Sequence, residues 1–124
     1  MTDAPSPESL ANLLQQDLHL LASPAAEQRA WAAAQAVHVP PDEMRLSFLD
    51  EVPGLIHVYV ENGYVDAEGE AALLALEQLL NSPTEDEGLR PWIDWDAVEG
   101  SPTWERIRGL AAQALELLHI PPEA

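Results

Sequence analysis

Leucines near the start of the chain recur at the spacing of one helix face. Leu10, Leu13, Leu14, Leu18 and Leu21 follow each other at three- and four-residue steps, which predicts an amphipathic helix over residues 6–22. Ser6 stands where an N-cap is needed, Pro7 at the first helical position and Glu8 in the first turn. Asp17 interrupts the apolar face at its edge. Ser23-Pro24 stops this helix and starts a second with the same device, carrying Trp31 among alanines, with Ala30 and Ala34 to one side. Alanine is the strongest helix former, and its small side chain lets helices approach closely. After the break at Val39-Pro40-Pro41-Asp42, Met44, Phe48 and Val52 predict a short helix over 42–52. Asp66 caps a further helix over 66–80, where Leu73, Leu76 and Leu80 form a line and Leu74 widens the stripe. Residues 82–90 read as a loop, and residues 91–100, with Trp92, Ile93, Trp95 and Val98, as a short helical turn. Ser101-Pro102 opens the last helix, which runs to about residue 118 with Trp104, Ile107, Ala111, Ala114, Leu115 and Leu118 inward. The Ser-Pro pairs at 6–7, 23–24, 82–83 and 101–102 are punctuation; the residues after them share no common spacing, so they are not a repeat.

One segment reads two ways. Leu55-Ile56-His57-Val58-Tyr59-Val60 is β-branched and aromatic, which argues strand, and Asn62-Gly63 is a hairpin turn signal that would pair it with Tyr64-Val65. The competing reading is a helix ended by Gly63 in the left-handed C-cap position, with Tyr64 packing back. A hairpin whose second strand is two residues long is poorly stabilised, so the pattern favours helix. The expected fold is therefore a single all-α domain, a bundle of five or six short helices, with residues 55–65 as the place where a β-hairpin would replace helix and residues 1–5 as a flexible N-terminal tail.

Charge narrows the function more than any motif does. The 124 residues hold 22 Asp and Glu against five arginines, Arg29, Arg45, Arg90, Arg106 and Arg108, and no lysine, for a formal net charge of -17. Such a surface repels phosphate backbones and anionic membranes and attracts cations or basic proteins. The 47% apolar fraction sets the chain apart from a disordered acidic tail. The absence of cysteine excludes disulfides, thiolate metal sites and cysteine nucleophiles. The first residues have neither the positive region nor the apolar region of a signal peptide, and no apolar run approaches a membrane span, so a cytoplasmic location is expected. Coding bias or a salt-adapted proteome would also deplete lysine, although Asp does not exceed Glu as salt adaptation favours.

The densest chemistry lies in Trp92-Ile93-Asp94-Trp95-Asp96-Ala97-Val98-Glu99, just after Glu85-Asp86-Glu87. Aromatics beside acids suit an inhibitor of a basic protein: rings supply desolvated contact area and carboxylates pair with the target's Arg or Lys. Glu85, Asp86, Glu87, Trp92, Asp94, Trp95, Asp96 and Glu99 are thus the candidate partner-binding surface. The alternative is that Trp92 and Trp95 anchor the segment onto the core while its acids face water. Asp94 and Asp96 would suit Mg or Ca, but their spacing lacks the further ligands and closing Glu of an EF-hand, and neither a metal nor a cofactor is expected. Paired carboxylates alone, without a companion nucleophile or glycine-rich loop, make a weak case for an enzyme. His19, His38, His57 and His119 show no ligand spacing, and His57 with Glu61 reads as a local hydrogen-bonded pair. Tyr59 and Tyr64 suit half-buried positions with bonded hydroxyls. Arg106 and Arg108 fall on different helix faces and suit nearby acids better than an anion.

Leu46-Ser47-Phe48-Leu49-Asp50-Glu51-Val52-Pro53, Asn62-Gly63-Tyr64-Val65 and Ser101-Pro102-Thr103-Trp104-Glu105-Arg106-Ile107-Arg108-Gly109-Leu110-Ala111 together resemble a pattern seen in small helical bacterial proteins. With the residues between them they cover about half the chain. That resemblance implies helix at 55–62 and transfers no site residue. In physical type the chain is also similar to toxin immunity proteins, which are commonly small, acidic and cytoplasmic, and many of which occlude a basic nuclease; no residue matches the motif of the colicin DNase immunity family. The function expected is a non-catalytic acidic binding protein of immunity or inhibitor type that neutralises a basic partner such as a nuclease toxin, without itself binding nucleic acid or membrane. The alternatives are an acidic scaffold or adaptor docking a partner in an apolar groove and, third, a small enzyme with carboxylate chemistry, which requires a concave pocket holding a perturbed carboxylate or histidine.

Overall fold

Proline and serine set the helix ends much as their spacing predicts. The computed structural model describes residues 6–35, 37–81 and 88–119; the expected tail at 1–5 lies outside them. The elements are α1 (Pro7–Ala22), α2 (Ala25–Ala33), α3 (Asp42–Glu51), a 3-10 turn (Pro53–Leu55), α4 (Ile56–Glu61), α5 (Ala67–Asn81), α6 (Arg90–Ile93), α7 (Trp95–Val98) and α8 (Pro102–Glu116). The fold is all-α, with no strand among the described residues. No helix among them is long and apolar enough to cross a membrane.

Ser6 caps α1 by accepting from the Ser9 N–H, and Ser101 caps α8 by accepting from the Trp104 N–H. Asp66 does the same for α5, its Oδ1 accepting from the Gly69 N–H at 2.9 Å. Ser23-Pro24 departs from this pattern. Ser23 is the C-cap of α1, its hydroxyl donating to the His19 carbonyl, while α2 begins behind Pro24 with no side-chain cap. Leu20 O accepts the Ser23 N–H at 3.2 Å, and Gln28, which is wholly buried, donates to Leu20 O and Leu21 O at 3.0 and 3.2 Å. The residues of α2 that turn inward are thus Gln28 and Ala32, while Trp31 is half-buried.

Residues 56–61 are helix, ended as the glycine reading expects. Gly63 has φ 75°, its N–H donates to Val60 O, and the Tyr64 N–H donates back to Tyr59 O at 3.0 Å. Those two bonds are the Schellman arrangement. β-Propensity loses here because the helix buries Ile56 and Tyr59 in the core while the cap satisfies its last carbonyls.

α1 and α8 form the central pair; α8 also packs on α5, and α1 on α3. The core between them contains Leu14, Leu18, Leu21, Met44, Phe48, Leu73, Leu76, Leu80, Trp104 and Ile107. Leu74 does not join it: it is 50% exposed, one position round the helix from Leu73. The end of α8 folds back onto the α4–α5 connection, where the His119 N–H donates to Tyr64 O at 2.8 Å and its ring meets Asp66 at 3.1 Å. Gly69 allows that approach, since a Cβ there would sit 2.9 Å from Val65 Cγ1 and 3.6 Å from the Leu117 carbonyl.

Candidate functional site

The predicted aromatic-acidic segment is built from two four-residue turns, α6 and α7, hinged at Asp94. Asp94 caps α7, its Oδ1 accepting from the Asp96 N–H at 3.0 Å and its Oδ2 from Arg90 at 3.2 Å. The Asp96 N–H, with Arg90 next, holds the Asp94 carboxyl below the ordinary carboxylate range. Trp92 is only 7% exposed. Its ring meets Trp104 edge to face, centroids 5.5 Å apart, and the Arg45 guanidinium lies 5.3 Å from its centre. Trp95 is half-buried and its indole N–H donates to Val39 O at 2.7 Å. The rings therefore anchor the segment to the body of the protein, and Trp92 offers almost no surface to a partner.

The acids of the segment divide. Asp96 pairs with Arg29 at 2.8 Å with both side chains largely in water, and Glu99 is exposed. Asp94 and Asp96 thus turn to different arginines and do not converge on a common point; among the described residues no group of three metal-ligating side chains forms. Glu85, Asp86 and Glu87 lie outside the described residues.

Four of the five arginines have partners within the fold. Arg45 donates to the Leu80 carbonyl at 2.8 Å, closing the end of α5, and pairs with Asp42 at 3.1 Å. Arg108 turns inward to Gln28 Oε1 and Val98 O rather than to an acid, and its Nε is buried without a partner. Burial pushes its pKa down, with nearby Glu105 opposing. Arg106 is exposed, so the two cations do fall on different faces.

A second constellation, scattered in the sequence, assembles where α1 crosses α3. Leu10 and Leu13 of α1, Asp50 and Glu51 of α3, Gly54 and Leu55 of the 3-10 turn and Tyr59 of α4 line a groove of about 450 Å³. Beside it, the Ser47 hydroxyl lies 3.1 Å from Asp17 Oδ1 and 3.5 Å from Glu51 Oε1. Asp17 Oδ2 is buried and finds no donor. Burial, and then the charge of Glu51, push the Asp17 carboxyl up to about 6, against the Ser47 hydrogen bond. Burial, then Asp17 and Glu51, raise the Tyr59 phenol to about 12, and its hydroxyl reaches Leu10 O at 3.4 Å. Asp17 was visible as the one acid breaking a leucine face. Its partner was not, because Glu51 lies on another helix and nothing local marks the crossing.

No family model, curated protein or solved structure matches the chain.

Proposed function

We propose that the protein is a non-catalytic acidic binding protein of immunity or inhibitor type, which neutralises a basic protein such as a nuclease toxin. One observation carries this reading: four of the five arginines already have partners within the fold. Arg29, Arg45 and Arg90 pair with Asp96, Asp42 and Asp94, and Arg108 is turned to Gln28 and Val98. The acid excess therefore has little internal neutralisation and faces outward, for instance at Glu8, Glu27, Glu43, Glu61, Glu68 and Glu105. An outward field of that sign steers a basic partner and rejects phosphate. In the described part of the segment Glu99 is exposed and Asp96 is exposed while paired with Arg29, and Trp92 and Trp95 anchor the turns that carry them; Glu85, Asp86 and Glu87 belong to the same proposed surface by sequence. Occlusion of the partner's surface is the mechanism, no cofactor enters it, and the cytoplasm is the expected location.

The test is affinity capture at low and high salt, with a variant carrying Asp96→Asn and Glu99→Gln alongside. A basic protein retained at low salt, released at high salt and weakened by the variant is the expected result. A partner held equally at both salt concentrations would favour the second reading, an adaptor docking through apolar contacts, for which the Leu10–Leu13–Leu55 groove speaks. The Asp17 carboxyl, pushed up to about 6, lies next to the groove without lining it, and so goes only part of the way to the requirement stated for a small enzyme. An occupant recovered chemically changed from the groove would decide for that third reading.

A further inference from the structure

The α1–α3 groove has a mixed lining. Leu10, Leu13 and Leu55 give it apolar walls, with Leu13 43% exposed at its lip. Tyr59 is fully buried behind them. The same groove is lined by Asp50, exposed, and Glu51, half-buried, and Glu51 interacts with Asp17. Asp17 and Glu51 are like charges in one site, and Asp17 Oδ2 is buried without a donor. A groove that sets carboxylates beside leucine walls matches the polarity of an alkyl chain that ends in a cation.

Among the described residues no cation of this fold lines the groove: the chain has no lysine, Arg29, Arg45, Arg90 and Arg108 are engaged elsewhere, and Arg106 is exposed on α8. A second copy would bring another -17 of charge against the same acids. Lysine also fits better than arginine. A guanidinium seeks two oxygens in one plane, whereas an ammonium is a compact charge whose three donors can serve carboxylates set on different residues.

We propose that this groove is a receptor for a single lysine side chain of a basic protein partner, the stem lying along Leu10, Leu13 and Leu55 and the ammonium meeting Glu51 and Asp50. The identity of the partner as a basic protein rests on the function proposed above; the groove's taste for an alkylammonium does not. Cation binding there relieves the repulsion between Asp17 and Glu51, which the Ser47 hydroxyl offsets only in part.

The probes are n-hexylammonium and its uncharged counterpart n-hexanol, titrated into the full chain at low ionic strength and pH 7.5 and followed by NMR. Hexylammonium is expected to shift resonances of Leu10, Leu13, Gly54, Leu55 and Tyr59, and to bind at least about fivefold more tightly than hexanol, the factor set by one partly exposed ion pair. Glu51→Gln removes most of that preference. Asp50→Asn, at the exposed lip where folding is not at stake, reduces it, and Glu61→Gln on the neighbouring helix leaves it unchanged. Equal binding of hexanol, shifts spread over the exposed acids of α5 and α8, or a preference that survives both Glu51→Gln and Asp50→Asn would each overturn the proposal. Hexylammonium seated in the groove of a protein that captures no basic partner would uphold the receptor and sink the partner reading. A basic partner indifferent to both groove variants would do the reverse.

Discussion

Replacing Asp17 with asparagine should stabilise this protein at neutral pH, and the sign is unusual for the loss of a hydrogen-bonded carboxylate. The ordinary value of 3.8 rises to about 6 in the fold, from burial first and Glu51 second. The native state therefore holds the Asp17 proton more tightly than the unfolded chain does. The stability this gives is fully present below pH 3.8 and is lost as pH rises through about 6. Converted in full at 1.36 kcal/mol per pH unit, the difference is ~3 kcal/mol. The pair is partly open to water, so screening leaves about 1–2 kcal/mol. Asparagine keeps an acceptor for the Ser47 hydroxyl and brings an N–H₂ toward Glu51, the donor that Asp17 Oδ2 lacks. Urea unfolding from pH 4.5 to 7.5 should show wild type losing ground to Asp17→Asn across that interval, with the variant's midpoint higher at pH 7.5 by about 0.5–1 M. General repulsion among the acids also weakens both proteins as pH rises, so the diagnostic quantity is their difference. A difference that does not change with pH, or a variant less stable than wild type at pH 7.5, would refute a half-buried like-charge pair at the α1–α3 crossing.

Other expectations follow from single contacts. Gly63→Ala forces a side chain into φ 75° with nothing else nearby, so it should cost roughly 1 kcal/mol through the backbone alone and lower the melting temperature. Trp104→Phe leaves the Pro91 carbonyl, now bonded at 2.7 Å, without its donor; denaturant unfolding should show a loss of about 1–3 kcal/mol, more if the smaller ring leaves a void. Gln28→Ala strips a donor from Leu21 O, one of two donors from Leu20 O and an acceptor from Arg108, and should cost about 2 kcal/mol by the same assay. His119→Ala should remove the Asp66 contact and speed amide exchange in the first turn of α5, with little effect on the Ser101-capped start of α8.

Local chemistry made much of this protein readable in advance. Ser6-Pro7, Asp66 and Ser101-Pro102 mark helix starts because a cap satisfies N–H groups within three residues of itself, and Gly63 marks a helix end because its left-handed φ is a property of one residue. The inward faces of α1, α3, α5 and α8 followed from spacing alone, except where the stripe was drawn too wide at Leu74 and Leu13. Ser23 misled because the same Ser-Pro pair serves either the helix before it or the one after, and Gln28 of the next helix decides which carbonyls are left to close. What tertiary structure alone decided is which side chains meet. Trp92 became core rather than contact surface because Trp104 and Arg45, distant in the chain, close over it. Asp17 became a titrating group because α1 crosses α3 at Glu51. The sequence by itself determined the helices and the sign of the field around them, since both are sums of local terms. Where that charge is uncompensated and concave depends on how the helices pack, and packing is a non-local property of the chain.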